Sequence, residues 1–585
     1  MISKRDRSRW LLAIFTGLLL YLLFTLIGHL YADNDNLMIG VVTNGIYSDD
    51  VFCQYLHPLL CLIIRGLSFV LPTADCFLVI TSLFVLVELM VLTYIALLET
   101  GNKSWKQWNI QDWILRAMLV CGTIFLSTAI NIWSINYTTQ TASFVFAGFI
   151  SLFEYKNRRD QKALFVLGTL LVIFGFMMRI EGAYIFIPYI LLQIVTDLVI
   201  AKSDAENTNT KETVISIARL LAPCLAVIVI LFISKSIFWS IEPHASARDY
   251  NEARTISSDF YMLDWKDVED KIVDTDYTEY KSPVVWSLID TDILNTEKIA
   301  YIAEIGSAPR YPLNGEGIMK TLAEMTRKGF TTNLQLLLLL IITIILAVRN
   351  LICIHNKWLR LESLFAVGGS FLILFYFTMK GRAPLHVWQS TVFACIMILI
   401  IAMLNDVRIK KAVGQVRGIS FGDAAFMLLI SAVLYFSIGQ VIATSSFHAP
   451  VTAFTARINV DESEYAQTLE DDALYIWPSF WQTLAGKYVE KGKLPSREVL
   501  EHNISLAYWS YGQVYFTDVL KRMNAENPAK ALLERPNTYL VKVSGMDDFV
   551  LRYMRAHYGE DLIYEEIGTV NDYGYYRLVR TDDID

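Results

Sequence analysis

The stretch from Tyr31 to Pro58 carries Asp33, Asp35, Asp49 and Asp50 and no Lys or Arg. Carboxylates clustered where a helix leaves an apolar medium either hold a cation or act as bases. A low-dielectric surface raises a carboxylate pKa towards neutrality, which suits a general base. The plainer alternative is a solvated polar loop. A second constellation is Arg179-Ile180-Glu181-Gly182, between two short apolar runs. Charges at such a place either snorkel to the interface or line a cavity. An Arg there suits a phosphate or pyrophosphate, with Glu181 orienting it. The third is Lys380-Gly381-Arg382-Ala383-Pro384-Leu385-His386. Placed near Arg179, its cations would form the basic pocket that an anionic head group requires. Tyr250, Asn251 and Arg254, followed by Asp259, make a weaker polar block. Glu88 sits inside a long apolar run without a partner in sequence, and reads as a neutral packing residue.

Other chemistries find no support. The seven cysteines stop at Cys395 and none lies in a CxxC, so neither a disulfide framework nor a Cys-rich zinc site is expected. The eight histidines never pair at metal-ligand spacing. No P-loop, GxSxG or strand-borne GxGxxG is present. The formal charge of −8 argues against a nucleic-acid partner.

The elements that must position these groups are membrane helices. Of 585 residues, 54% are hydrophobic and only 18% charged, below the usual quarter for soluble domains. A span needs about 20 apolar residues. Eleven stretches qualify: 10–30, 76–98, 113–132, 138–153, 163–178, 183–200, 220–233 with its flanks, 334–348, 364–379, 387–404 and 421–443. Segment 56–72 is short and carries Arg65, and it reads as an interfacial or re-entrant helix. With that segment non-spanning and the N-terminus inside, the inside loops hold 19 Lys and Arg and the short outside loops hold 3. That is a strong positive-inside bias. The expected architecture is a polytopic α-helical membrane protein with about eleven transmembrane helices. Residues 1–443 form the membrane domain, with an outer loop at 31–75 and a long outer loop at 241–330. Residues 444–585 form a small extracytoplasmic α/β domain. Its strands are expected at 473–477, 537–543, 562–568 and 573–580, and its helix at 545–559.

This layout resembles the GT-C superfamily of integral-membrane glycosyltransferases, close to a group of bacterial membrane proteins of that type. The resemblance rests on Asn34-Asp35-Asn36-Leu37-Met38, then Asn44-Gly45-Ile46-Tyr47-Ser48-Asp49-Asp50. Tyr250, Asn251 and Arg254 add to it, as does the stretch Trp286–Asp292 with Asp290. Asn36 stands where the group has a second Asp. The resemblance implies a polyprenyl-phosphate-linked sugar donor, a glycan, lipid or protein acceptor, and inversion at the anomeric carbon. On that reading Asp35 is the base, with Asp33 beside it. Arg179, Lys380, Arg382 and His386 hold the donor phosphate. Asp49, Asp50, Glu181, Tyr250, Asn251 and Arg254 bind substrate. No metal is required, although Asp33 and Asp35 would suit Mg²⁺ or Mn²⁺. The expected location is the cell membrane, multi-pass, with a cytoplasmic N-terminus. Two rivals are a transporter or flippase of lipid-linked sugars, and an inactive surface protein of the same fold. A transporter would need essential charges at mid-membrane, where Glu88 is the clear example.

Overall fold

The computed structural model describes residues 4–27, 34–98, 100, 105–131, 137–203, 210–256, 295–305, 311–330, 334–412, 419–444, 472–477, 494, 496–505, 512–525, 527–542, 548–570 and 573–583. The architecture is mostly helical. The membrane-domain helices run α1 Lys4–Ile27, α2 Asn34–Thr43, α3 Pro58–Ser68, α4 Cys76–Leu98, α5 Ile110–Asn131, α6 Tyr137–Asn157, α7 Lys162–Met178, α8 Ile180–Tyr184, α9 Ile187–Ser203, α10 Thr210–Phe238 and α11 His244–Arg254. They continue as α12 Thr296–Ile305, α13 Gly315–Phe330, α14 Leu334–Cys353, α15 Lys357–Met379, α16 Leu385–Ala412 and α17 Phe421–Thr444. A helix lies over each of the eleven apolar stretches. Among the described residues, five helical stretches are long and apolar enough to cross a membrane: Cys76–Leu98, Ile180–Ser203, Lys211–Phe238, Lys357–Met379 and His386–Lys410.

Charge separates the two ends of this bundle. At one end Arg9 donates to the carbonyl of Thr100, Lys156 pairs with Asp197 at 2.6 Å, Arg408 with Glu154 at 2.6 Å and Arg349 with Asp423 at 2.7 Å. The other end brings together the start of α6, the end of α7, the end of α10 and the α15–α16 turn. Glu88 lies between, fully buried, accepting a hydrogen bond from Ser143. This is the packing role that its sequence setting suggests.

Helices α6 and α7 approach closely at Gly148, Gly168 and Gly175, where only small or β-branched side chains fill the seam. A Cβ on Gly168 would lie 2.9 Å from the carbonyl oxygen of Gly148, and one on Gly175 2.7 Å from Val145. Small residues let backbones approach where lipid offers no hydrophobic push between helices. The pair fixes the position of Arg179, which follows α7, relative to Thr138, at the start of α6.

Helix α3 is eleven residues long, far short of a span. It buries Leu60, Cys61 and Ile64 and exposes Leu59, Leu62 and Ile63. Arg65, the charge that spoils this segment as a span, donates to the carbonyl of Asn44 and stacks over Phe69 at 4.6 Å. It ties the helix to the first loop. His57 caps α3 by accepting from the Leu59 N–H at 3.1 Å through Nδ1. Its other ring nitrogen therefore carries the proton and donates to the Leu231 carbonyl at 3.0 Å.

The C-terminal region is a five-stranded sheet in the order β2-β1-β3-β5-β4. The strands are β1 Leu474–Trp477, β2 Asn503–Ser505, β3 Thr538–Lys542, β4 Leu562–Val570 and β5 Tyr573–Arg580. β1 pairs in parallel with β2 and β3, and β5 runs antiparallel to β3 and β4. All four β1 residues are buried, as a strand covered on both faces demands. Among the described residues, four helices accompany the sheet: α18 Arg497–Glu501, α19 Val514–Arg522, α20 Pro528–Glu534 and α21 Asp548–Tyr558. The α21 boundaries and four of the strands fall close to the sequence expectation. β2 has only three residues and no alternation to announce it. Residues 571 and 572, between β4 and β5, lie outside the described residues.

Helix α19 docks this region onto the membrane domain. Ser48 donates to Asp518 at 2.8 Å, and Arg522 donates to the carbonyl of Tyr47. Tyr515 meets Tyr47 edge-on at 6.0 Å. Gln513 donates to Gln54 at 3.1 Å and to the Ala247 carbonyl at 3.5 Å. Gly512, at φ +76°, leaves no room for a Cβ beside the Tyr250 ring.

Candidate functional site

A cavity of about 780 Å³ opens at the bundle end where these pieces converge. Its charged lining comes from Arg179, Lys235, Arg248 and Arg382, set against Glu181 and Glu252. Arg179 sits at the break between α7 and α8, in extended backbone, with its N–H bonded to the Gly175 carbonyl. Its guanidinium donates to Thr138 Oγ1 at 2.5 Å and lies 3.9 Å from Glu181. It also rests 4.8 Å from the Tyr137 ring centre and 5.6 Å from that of Tyr55. Such stacking holds an Arg in place while leaving its charge intact.

Lys235, at the end of α10, lies 3.8 Å from Glu181 and donates to the Tyr55 carbonyl at 3.5 Å. Glu181 is 60% exposed and so offsets little of this charge. Arg382 and His386 enter from the α15–α16 turn. Gly381, at φ +87°, allows that turn, and Arg382 N–H closes it on the Phe377 carbonyl at 3.0 Å. The remaining walls are largely apolar, with Phe232, Trp239, Ile256, Phe377 and Val387. Tyr184 and Phe232 line the cavity and are also 48% and 51% exposed on the bundle surface. The cavity therefore has an apolar side mouth. An excess of cations beside low-dielectric walls attracts an anion strongly.

The sequence-derived candidates divide into two groups. Arg179, Glu181, Asn251, Arg382 and His386 meet at the cavity. Lys380 caps α15 instead, its N–H on the Tyr376 carbonyl, and does not line it. Tyr250 and Arg254 are buried away from it; Arg254 donates to Asn251 at 3.0 Å and to Tyr55 Oη at 3.4 Å. Asp49 is exposed and off the cavity. Asp50 accepts from the Phe52 N–H at 2.9 Å and faces His244 at 3.6 Å. Burial pushes the Asp50 carboxyl up, against the pull of the Phe52 N–H and His244. Asp35 lies in the first turn of α2, where nothing of its side chain is described. Asp33, Asp259, Trp286, Asp290 and Asp292 lie outside the described residues. The same limit covers the divalent-cation expectation at Asp33 and Asp35. Among the described residues no group of three His, Cys, Asp or Glu side chains could hold a metal.

Sequence reasoning missed Gln54, Tyr55, Lys235, Trp239, Arg248 and Glu252, which also line the cavity. Lys235 closes a long apolar run and reads there as a snorkelling anchor. Glu252 stands inside the Tyr250–Arg254 block, so that block pointed to the right helix through partly the wrong residues. Asp75, just before α4, also went unremarked. It is buried against Gly40 and accepts from the Leu78 N–H at 3.0 Å. Burial raises its carboxyl to about 7, against those backbone hydrogen bonds.

Comparison with protein-family models, curated proteins and solved structures gives no match for this chain.

Proposed function

We propose that this protein is an inverting membrane glycosyltransferase of the GT-C type, with eleven spans and its cavity on the outer side of the cell membrane. Its donor would be a polyprenyl-phosphate-linked sugar, and its acceptor a glycan, lipid or protein hydroxyl. The observation that carries this reading is the cavity itself. Arg179, Lys235 and Arg382 line it, and its side mouth at Tyr184 and Phe232 is apolar. A phosphate head group and a polyprenyl tail need those two features side by side. The cation-rich opposite end of the bundle agrees with a cytoplasmic N-terminus.

In the reaction, the acceptor hydroxyl attacks the anomeric carbon from the face opposite the phosphate. The C–O bond to phosphate breaks as the new glycosidic bond forms. The base takes the hydroxyl proton, and the phosphate leaves with the bonding electrons. A leaving phosphate needs cations rather than a proton donor. Arg179 and Arg382 would supply them, with Lys235 and His386 beside them. Asp35 is assigned as the base. Glu252 is its structural competitor, because it lines the cavity, with Arg248 on the same helix as its electrostatic partner.

The test is release of polyprenyl phosphate by the full chain in nanodiscs, given a panel of lipid-linked sugars and an envelope glycan extract. Wild-type turnover that vanishes in Asp35→Asn but survives in Glu252→Gln fits the assignment. The converse moves the base to α11. Absence of turnover with every donor, together with lipid-sugar translocation in vesicles, would replace the enzyme with a flippase.

A further inference from the structure

Two hydrogen-bond donors beside the cavity have no acceptor. The indole nitrogen of Trp239 is buried, in a residue only 5% exposed, and the amide nitrogen of Gln54 is buried as well. Neither has a hydrogen-bond partner among the described residues, and both side chains line the cavity. A buried donor left unmade costs about 1–3 kcal/mol, so such atoms point to a ligand that completes them.

Both side chains are held from behind. Trp239 lies edge-on to Phe238 at 5.5 Å and to His244 at 5.3 Å, and His244 is anchored by Asp50. Gln54 is oriented from the C-terminal region. The Ala247 carbonyl can only accept, so the amide nitrogen of Gln513 faces it. That nitrogen also bonds Gln54, which must present its oxygen there and turn its own nitrogen elsewhere. Asn251 and Glu252 line the same cavity, and the Asn251 oxygen is already taken by Arg254. The set is therefore a ring face, amide donors and one carboxylate acceptor. A hydroxyl both donates and accepts, and matches it. A phosphate brings acceptors only, so it offers no donor to the Glu252 carboxylate, whose charge Arg248 on the same helix offsets.

We propose that Trp239, Gln54, Asn251 and Glu252 form the subsite for an uncharged, hydroxyl-rich sugar ring, with Gln513 as a positioning residue acting through Gln54. This rests on the glycosyltransferase reading and specifies its substrate class.

The experiment is equilibrium binding to the full chain in nanodiscs, without turnover. One ligand is bare polyprenyl phosphate and the other is polyprenyl phosphate carrying a neutral hexose. Trp239→Phe keeps the ring and removes the N–H; Gln54→Leu removes the amide. Each should weaken the sugar-bearing ligand about three- to tenfold and leave the bare lipid phosphate unchanged, which also shows that the variant is folded. Gln513→Leu should reproduce the Gln54 effect. Equal loss for both ligands would assign the donors to the phosphate and overturn the subsite. No loss for either would overturn it too. Wild type that binds the two ligands equally would sink the subsite while sparing the phosphate end. Wild type that binds neither would sink the glycosyltransferase reading and the subsite with it.

Discussion

Arg179 and Gln54 line one cavity but are held there by different means. Arg179 follows a helix packed backbone to backbone against its neighbour, and its contacts reach Thr138 and Tyr137 on that neighbour. Gln54 sits in a loop and is oriented by Gln513, more than 450 residues further along the chain. Arg179 is thus fixed by close-packed helices, which deform in steps rather than smoothly. The neutral side is clipped in place by a few polar contacts, each worth about 1 kcal/mol. On the proposed reading, substrate charge would be read by the helix-borne half and substrate shape by the loop-borne half.

The contrast can be broken most strongly at Arg179. Arg179→Ala should lower turnover by roughly 10²–10³-fold, and Arg179→Lys should recover only part of it, because the stacked planar fork is lost. Phosphate release measured across donor concentrations decides this. Next comes the helix pair. Gly168→Leu forces atoms into a backbone contact and should cost about 1–3 kcal/mol, read as a lower melting temperature in detergent. Donor affinity should fall with it, since Thr138 and Arg179 would no longer be in register. A melting curve unchanged from wild type would show that the α6–α7 contact does not set the site.

The loop side should respond to pH. Asp75 has a folded pKa of about 7, above its ordinary carboxylate value near 4. The stability it contributes is complete below about pH 4 and is lost as pH rises through about 7. Asp75→Asn keeps an acceptor for the Leu78 N–H but cannot ionise. The variant's melting temperature should therefore gain on wild type between pH 4.5 and 7.5, and a constant gap would refute the assignment. The smallest effect is expected at the dock itself. Ser48→Ala removes one hydrogen bond to Asp518 and should cost about 1–2 kcal/mol. It should raise proteolysis of the C-terminal region before it touches binding of bare lipid phosphate.

Helix positions were legible in the sequence because long apolar runs admit few other structures in a membrane. Arg179 and Arg382 were legible because cations are rare in the short loops at that end of the bundle. Lys235 was hidden by the opposite logic, as a cation at the end of an apolar run looks like an anchor. Tyr250 and Arg254 illustrate a different limit. They are polar and sit one turn apart, yet one packs under Gly512 and the other braces Tyr55. Burial of that kind depends on segments far away in sequence, and no local pattern encodes it. Gln54 and Trp239 were invisible for the same reason, since their meaning comes from Gln513 and His244.

The clasp between Ser48 and Asp518 joins the first loop to a helix more than 450 residues further along the chain. A ribosome delivers the first loop long before α19. Membrane insertion can therefore finish well before the neutral wall of the cavity is complete. On the proposed reading, the nascent chain would gain the phosphate end of the cavity before the Gln513 brace of its sugar wall. On the proposed reading, a chain cut short before Gln513 would still hold lipid phosphate and would bind the sugar it carries more weakly.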